Sequence, residues 1–388
     1  MDMKKVGIVT LYHNNSNYGG LLQAYALQKS IDYMGFDVEQ ICMNFITDSD
    51  DKFMVKRPGI KGIIRRFIDL SIYTTKRIYF DQRREAFKKF ELSIPHSNII
   101  YTQETINNSN AVYDIFITGS DQVWNLSWFR PEYFLSFVEK NKIKFSYAAS
   151  MPSSTLTTSQ IKMIKEFLRD YVDISVREEY TVDMLKCDMQ INAKKVLDPT
   201  LLLGKEEWDK CEELCEIPEK YIFCYFLSGS KNLRKLVKKF AKENNLPILT
   251  FPHIGSVNVS DINFGNIRLY NVTPGQFIHI IKKATYVITD SFHATVFSII
   301  YNKEFYTISR VGQETMNNRI ESLLSLFDKQ ERFFSPNDFI NNYKVICNKK
   351  DNIEYYEKQK YLHDLEFSRE YLYRNLMVKE VNNENREN

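Results

Sequence analysis

Short apolar runs alternate with helical patterns along most of the chain, and this alternation is the feature that most constrains the fold. The first unit consists of a strand at Val6–Leu11, a loop that contains two glycines, and a helix at Leu21–Met34. Further short runs predict strands at Asp37–Met43, Asp114–Thr118, Lys144–Ala149, Asp173–Val176, Tyr221–Leu227, Pro247–Phe251, Tyr286–Thr289 and Glu304–Ile308. Such strands alternating with helices predict an α/β fold whose parallel sheets are covered on both faces.

A chain of 388 residues is too long for one ordinary core, so two domains are expected. The pattern predicts a Rossmann-like domain over residues 1–180 and a second over residues 181–350. Residues 351–380 are charged and aromatic with helical spacing, and in a fold of this type we expect them to pack back on the first domain. The polar residues 381–388 are expected to form a disordered tail.

One segment of the first domain, residues 52–92, is strongly basic and reads as an inserted amphipathic helix. Two interpretations stay open for it. It is either a solvated insertion packed on the first domain, or a peripheral contact with anionic lipid at the inner surface of the membrane.

Charge and cysteine content exclude several classes of protein. The formal net charge is only +3, so no nucleic-acid partner is expected. The six cysteines form no CxxC pair and no carboxylate pair has metal spacing, so we expect reduced thiols and no metal. No stretch of about 18 apolar residues occurs, and the N-terminal residues lack signal-peptide features. We therefore expect a cytoplasmic protein.

Two loops that follow predicted strands in the first domain carry candidate binding residues. The first contains a group that brings backbone close to a ligand and opens a helix N-terminus toward an anion: Asn17, Tyr18, Gly19 and Gly20. In the second, which also contains Ser120, Asp121 could orient an acceptor hydroxyl and Trp124 could stack on a sugar ring. The alternatives are a loop that simply needs glycine and a helix N-cap at Ser120 or Asp121.

A third strand-end loop, in the second domain, contains the histidine of greatest interest. Ser291 or its neighbour caps a helix there, which places His293 in the first turn, where it is suited to proton transfer on a bound anion. The alternative is a buried core histidine. Arg177, Arg310 and Arg319 could grip a phosphate or carboxylate, although a single arginine is more often a surface ion-pair partner.

Taken in order, the motifs NYGGLLQAYAL, GSDQVWN, SYAAS, SVREEYTVDML, VLDPTLLL and ITDSFHATVFSI resemble the polysaccharide pyruvyl transferase family. The resemblance runs from Val6 to about Phe327. It implies a glycosyltransferase-B-like fold with two Rossmann-like domains facing a cleft. It also implies transfer of a pyruvyl group from phosphoenolpyruvate to sugar hydroxyls of a bacterial surface glycan precursor, forming a pyruvate ketal without a further cofactor. The acceptor would be a sugar or a lipid-linked oligosaccharide.

The resemblance also suggests roles for individual residues. His293 corresponds to the histidine of the family's Arg-Leu-His-type motif and would act as general acid or base, with Asp121 facing the acceptor. Val176-Arg177-Glu178 corresponds to its VRE motif. This chain has Ser291 where better-known branches have arginine, so Arg177, Arg310 or Arg319 carries more of the donor's charge, or the donor differs. A nucleotide-sugar glycosyltransferase of the same fold and a non-catalytic anion- or glycan-binding relative remain the alternatives.

Overall fold

The first half of the chain builds a parallel sheet with the strand order β2-β1-β3-β4. The computed structural model describes residues 4–44, 78–151, 155–253, 259–261, 263–339 and 355–378. The strands are β1 (Lys5–Val9), β2 (Asp37–Gln40), β3 (Ile115–Thr118) and β4 (Ile143–Ser146). Single bridges from Phe145 and Ala149 continue this sheet to the short pair β5 (Ser175–Val176) and β6 (Lys194–Lys195).

The second half builds a six-stranded parallel sheet with the order β12-β11-β10-β7-β8-β9. Its strands are β7 (Ile222–Tyr225), β8 (Ile248–Thr250), β9 (Ile267–Arg268), β10 (Tyr286–Thr289), β11 (Phe305–Ile308) and β12 (Phe333–Phe334). Every strand predicted from the sequence coincides with an observed one. The two-residue strands β6, β9 and β12 are too short to show a pattern in the sequence.

Helices cover both sheets and connect their parallel strands. In the first domain they are α1 (Tyr18–Asp32), α2 (residues 78–93), α3 (Thr158–Leu168) and α4 (Glu179–Met189). In the second they are α5 (Lys205–Lys210), α6 (Lys231–Glu243), α7 (Pro274–Lys283), α8 (Phe292–Ile300) and α9 (Glu314–Leu326). A capping box starts α7, in which the Thr273 side chain accepts from the backbone N–H of Gln276. Two Rossmann-like domains of this kind confirm the predicted fold class.

The first domain extends beyond the boundary predicted at residue 180. Helix α4 begins at Glu179 and buries Met184, Leu185 and Met189 in the core of the first domain. Strand β6 then pairs with β5. The boundary therefore lies near residue 196, because a short connecting strand follows α4 that the sequence pattern does not reveal.

Helix α2 accounts for the described part of the basic insertion. Its Phe87 and Phe90 are buried in a core cluster that contains residues of both domains. Arg83 also donates to the Tyr270 carbonyl at 3.0 Å, so this part of the insertion packs on the second domain as well as the first. Residues 52–77 of the predicted insertion lie outside the described residues. Within the described part of the chain, no helix is both long enough and apolar enough to cross a membrane.

Tyr18 ties the two domains together. Its fully buried ring stacks on Phe277 at 4.6 Å and packs against Phe251 at 5.5 Å, while its hydroxyl donates to the Val272 carbonyl at 3.0 Å. All three partners belong to the second domain. This placement argues against the acceptor-binding role predicted for Tyr18, because no part of the ring is left for a ligand.

The C-terminal helix α10 (Gln359–Leu376) packs against the first domain. Tyr371 and Leu372 are buried in a core cluster with Val6 and Ile8 of β1. The Tyr371 hydroxyl donates to the carbonyl of Ser146 at 3.0 Å. The predicted tail at residues 381–388 lies outside the described residues.

Replacing Tyr371 by alanine should lower the free energy of unfolding by about 3 kcal/mol, because it leaves a cavity where a fully buried ring packs. Tyr373 on the same helix is 50% exposed, and Tyr373→Ala should cost no more than about 0.5 kcal/mol. Equilibrium unfolding in urea checks both variants. Equal losses of unfolding free energy in the two variants would show that Tyr371 does not anchor α10.

Candidate active site

The N-termini of helices α1 and α8 meet between the two domains. Asn17 caps α1, its side-chain oxygen accepting from the N–H groups of Gly19 and Gly20 at 2.9 and 3.4 Å. A Cβ atom on Gly19 would lie 1.9 Å from Nδ1 of His293, so only glycine lets α1 approach the imidazole this closely. The contact places His293 at the junction of the domains and gives Asn17 a capping role.

Arg177 is the centre of a buried group of charges that we name the Arg177 cluster: Asp121, Arg177, Glu178, Asp198, His293 and Arg319. Its Nη1 donates to Asp198 Oδ2 at 2.7 Å and its Nε to Glu178 Oε1 at 3.0 Å. Nη2 lies 3.5 Å from Asp121 Oδ1. Burial alone would lower the pKa of Arg177, but the three carboxylates outweigh burial and raise that pKa above its usual range.

Asp198 is the member of the cluster that the sequence did not identify. It follows β6 and caps the short 3-10 turn Pro199–Leu201, and its Oδ2 lies 3.7 Å from Nε2 of His293. Burial would raise the pKa of this carboxyl, but His293 and Arg177 hold it well below its usual range. The available signal was the Asp-Pro pair in VLDPTLLL, which follows a strand as the other site residues do.

Arg319 is the buried cation of the cluster that lacks a carboxylate partner, since no ion pair among the described residues includes it. With the Gln122 amide oriented to satisfy its neighbours, Nη1 and Nη2 donate to that oxygen at 3.3 and 3.2 Å. Nη2 also lies 2.7 Å from the sulfur of Met316. Burial, followed by repulsion from Arg177, lowers the pKa of Arg319 to about 10.

Arg310 lies next to the site, but its shortest side-chain hydrogen bonds are to the backbone, and its Nη2 lies 3.6 Å from the Asp290 carboxylate. Its Nε and Nη2 donate to the carbonyl oxygen of Asp290 at 3.1 and 2.7 Å. The Asp290 carboxylate in turn accepts from the N–H groups of Leu227 and Ser228 at the end of β7. Ser291, the next residue, caps α8 by accepting from Ala294 N–H at 3.4 Å. Arg310 therefore fixes the turn that presents His293.

The loop after β3 presents Asp121 and buries the side chains around it. Gly119 has φ = +118°, and a Cβ there would lie 2.1 Å from the Tyr147 carbonyl oxygen. Ser120 is buried, and its hydroxyl donates to the carbonyl of Ala148 at 3.0 Å. Trp124 is fully buried and stacks on Phe134 at 5.5 Å. This placement argues against sugar stacking by Trp124, because neither face of the indole is open.

Four buried polar atoms of the Arg177 cluster have no hydrogen-bond partner among the described residues: Arg177 Nη2, Glu178 Oε2, His293 Nε2 and Arg319 Nε. Buried polar atoms are nearly always hydrogen-bonded, so a group of four at one place calls for a ligand. Guanidinium nitrogens only donate, and an imidazole nitrogen can donate. An anion that accepts from the two guanidinium nitrogens fits this arrangement and leaves Nε2 of His293 able to accept a proton. Within the described ranges, no group of three or more His, Cys, Asp or Glu side chains could hold a metal ion.

Solved structures with this fold include the UDP-GlcNAc 2-epimerase from Methanocaldococcus jannaschii, 10% identical, with a TM-score of 0.55 and coverage of 95% of this chain and 99% of that one. The same enzyme in complex with UDP-GlcNAc and UDP is 12% identical, with a TM-score of 0.53 and the same coverage. A glycosyltransferase from Rickettsia africae ESF-5 is 10% identical, with a TM-score of 0.53 and coverage of 98% and 100%. These likenesses define the class, a glycosyltransferase-B-like fold. No curated protein matches the chain in sequence.

The family follows from the sequence match. Residues 17–310 match the polysaccharide pyruvyl transferase family, and the chain belongs to it. The match includes every member of the Arg177 cluster except Arg319, which lies beyond its end. Membership supports a transferase that acts in polysaccharide modification.

Replacing Asp198 by asparagine should lower the free energy of unfolding at pH 7 by about 3 kcal/mol, because Arg177 loses a buried ionic partner. The folded-state pKa of Asp198 is depressed, so its contribution is fully present above the unfolded pKa of about 3.9 and is lost as pH falls below it. The difference in unfolding free energy between the variant and the wild type should therefore be about 1 kcal/mol smaller near pH 3 than at pH 7.

Urea unfolding at several pH values measures this difference. Asp183→Asn, at an exposed position of α4, is the control and should behave like wild type throughout. A difference that stays constant or widens in acid would contradict the assignment of Asp198 as an ionised partner in the folded protein.

Proposed function

We propose that this chain transfers a pyruvyl group from phosphoenolpyruvate to hydroxyls of a sugar and so forms a pyruvate ketal. The observation that carries the proposal is the convergence of Arg177 Nη2, Arg319 Nε and His293 Nε2, three buried nitrogens without hydrogen-bond partners. Family membership supports the same reaction class. The acceptor is a sugar or a lipid-linked oligosaccharide, a precursor of a surface glycan.

Arg319 is the main anchor for the donor in this proposal. Asp121, Glu178 and Asp198 neutralise Arg177, and Arg310 donates to backbone. Arg319 forms no ion pair among the described residues, and the more distant Glu178 and Asp121 offset burial and its repulsion from Arg177 only in part. An anion placed against it would relieve that repulsion. Arg319 thus supplies the positive charge that an arginine at position 291 would otherwise bring. The N-termini of α1 and α8 add partial positive charge beside it.

The reaction balances with one proton transferred to carbon. One sugar hydroxyl attacks the central carbon of phosphoenolpyruvate while a proton adds to the methylene carbon, which becomes a methyl group. The bond from the central carbon to the phosphate oxygen then breaks, and a second sugar hydroxyl attacks the same carbon to close the ketal. Of the two hydroxyl protons, one is retained in the methyl group and the other leaves with phosphate.

His293 moves the proton in this scheme. Its Nε2 takes the proton from the attacking hydroxyl and delivers a proton to the methylene carbon. Asp198, at 3.7 Å from Nε2, stabilises the imidazolium that forms between these steps. Asp121 holds Arg177 in place rather than meeting the acceptor directly.

His293→Ala should lower kcat at least tenfold, since general acid–base groups typically contribute about 10²–10⁴-fold. The assay is phosphate release from phosphoenolpyruvate with a panel of lipid-linked and nucleotide-linked sugars. His363→Ala, at an exposed position of α10, is the matched control and should keep wild-type activity.

Wild-type turnover by the His293 variant would remove the imidazole from the mechanism. Consumption of a nucleotide sugar without any phosphate release from phosphoenolpyruvate would instead establish a nucleotide-sugar glycosyltransferase. Binding of phosphoenolpyruvate with no turnover on any acceptor would favour a non-catalytic relative.

A further inference from the structure

A cavity of about 290 Å³ lies between the loop that precedes α1 and helix α2. Asn14, Asn15 and Ser16 form its loop side. The helix side is one face of α2, on which Arg84 and Lys88 are one turn apart. None of these residues belongs to the Arg177 cluster. The volume of the cavity is close to the lower end of the range of about 300–1,000 Å³ for small-molecule sites.

Glu91 of α2 connects the loop side of the cavity to its helix side. The Glu91 carboxylate accepts from the backbone N–H of Asn14 at 3.2 Å and lies 2.8 Å from Nδ1 of His13. Cys42 and Glu91 raise the pKa of His13 to about 9, so His13 is protonated at neutral pH. Arg84 adds a bond from its Nη2 to Asn14 Oδ1 at 3.4 Å. The cavity is therefore a built feature of the first domain.

The polar groups that line the cavity suit a neutral, hydroxyl-rich ligand. Arg84 and Lys88 donate, and Asp81 and Glu85 accept. The Asn15 amide is already hydrogen-bonded to the backbone of its own loop. An anion would face the carboxylates, whereas a sugar hydroxyl can donate to one group and accept from another. Phe87, beneath this face of the helix, is 1% exposed and packs in the core, so recognition falls to these polar groups.

The cavity also lies close to the imidazole. Ser16 is three residues before Gly19, which touches the His293 ring. Consecutive Cα atoms are about 3.8 Å apart, so the Cα atoms of Ser16 and Gly19 are at most about 11 Å apart. A saccharide that begins in the cavity can span this distance and bring a hydroxyl to His293.

We propose that this cavity is the acceptor subsite and holds a neutral sugar residue of the glycan. The inference rests on the proposed function, because it locates the acceptor of that reaction. It assigns recognition of the acceptor to α2 and the Asn14–Ser16 loop, while the Arg177 cluster takes the donor.

The test measures direct binding of a panel of methyl glycosides: those of glucose, galactose, mannose and their N-acetylamino derivatives. Saturation-transfer NMR detects the binding and calorimetry gives the affinity. At least one glycoside should bind the wild-type protein. Lys88→Ala and Arg84→Ala should each weaken that binding by about threefold to tenfold, the value of one hydrogen bond. Lys89→Ala is the matched control, because Lys89 is the adjacent exposed lysine and does not line the cavity.

Failure of all glycosides to bind the wild type, or equal affinities of the Lys88 and Lys89 variants, would overturn the subsite. Exposed lysines tolerate alanine, so loss of folding does not confuse the comparison. If a glycoside binds with the expected pattern but phosphoenolpyruvate yields no phosphate, the subsite stands and the proposed donor fails.

Discussion

The ion pairs of Arg177 hold the site together. One guanidinium contacts carboxylates that follow β3, β5 and β6, and its other side lies 4.7 Å from the centre of the Phe292 ring at the start of α8. Four chain segments from two domains are thereby fixed around a single group. Removing a partner from such a buried network leaves an uncompensated charge, which costs several kcal/mol, so the arrangement is rigid. This rigidity fixes the surroundings of His293, whose Nε2 lies 3.7 Å from Asp198.

The absence of an arginine at position 291 is compatible with this arrangement. Ser291 caps α8, a task that its hydroxyl performs and a long guanidinium side chain would not. Arg319 reaches the cluster from α9 instead. A buried cation without a carboxylate partner destabilises the folded protein, so its presence indicates a functional demand on the site. Because the cluster is buried, a ligand reaches it through the space between the domains.

The sequence predicted the strands and the start of α8 because these depend on local patterns: apolar runs, and a capping residue at Ser291 or its neighbour. It also named five of the six members of the Arg177 cluster. Local patterns do not reveal, however, which side chains contact each other in the folded protein. Trp124 and Arg310 follow strand ends, as His293 does. The Trp124 ring, however, is buried against Phe134, and the Arg310 side chain donates to the Asp290 carbonyl. Asp198 escaped notice because its local role as a cap conceals its contact with His293, which depends on how the domains dock.

In the proposed function Arg319 binds the donor through a charge that nearby carboxylates offset only in part. Calorimetric titration of phosphoenolpyruvate into the wild type and Arg319→Gln, with urea unfolding of both, tests it most directly. Arg169→Gln, at an exposed position, is the control. The account predicts at least tenfold weaker binding by the Arg319 variant, the worth of a hydrogen bond to a charged group, with no loss of stability. Unchanged affinity for phosphoenolpyruvate, or a variant that is simply less stable, would contradict it.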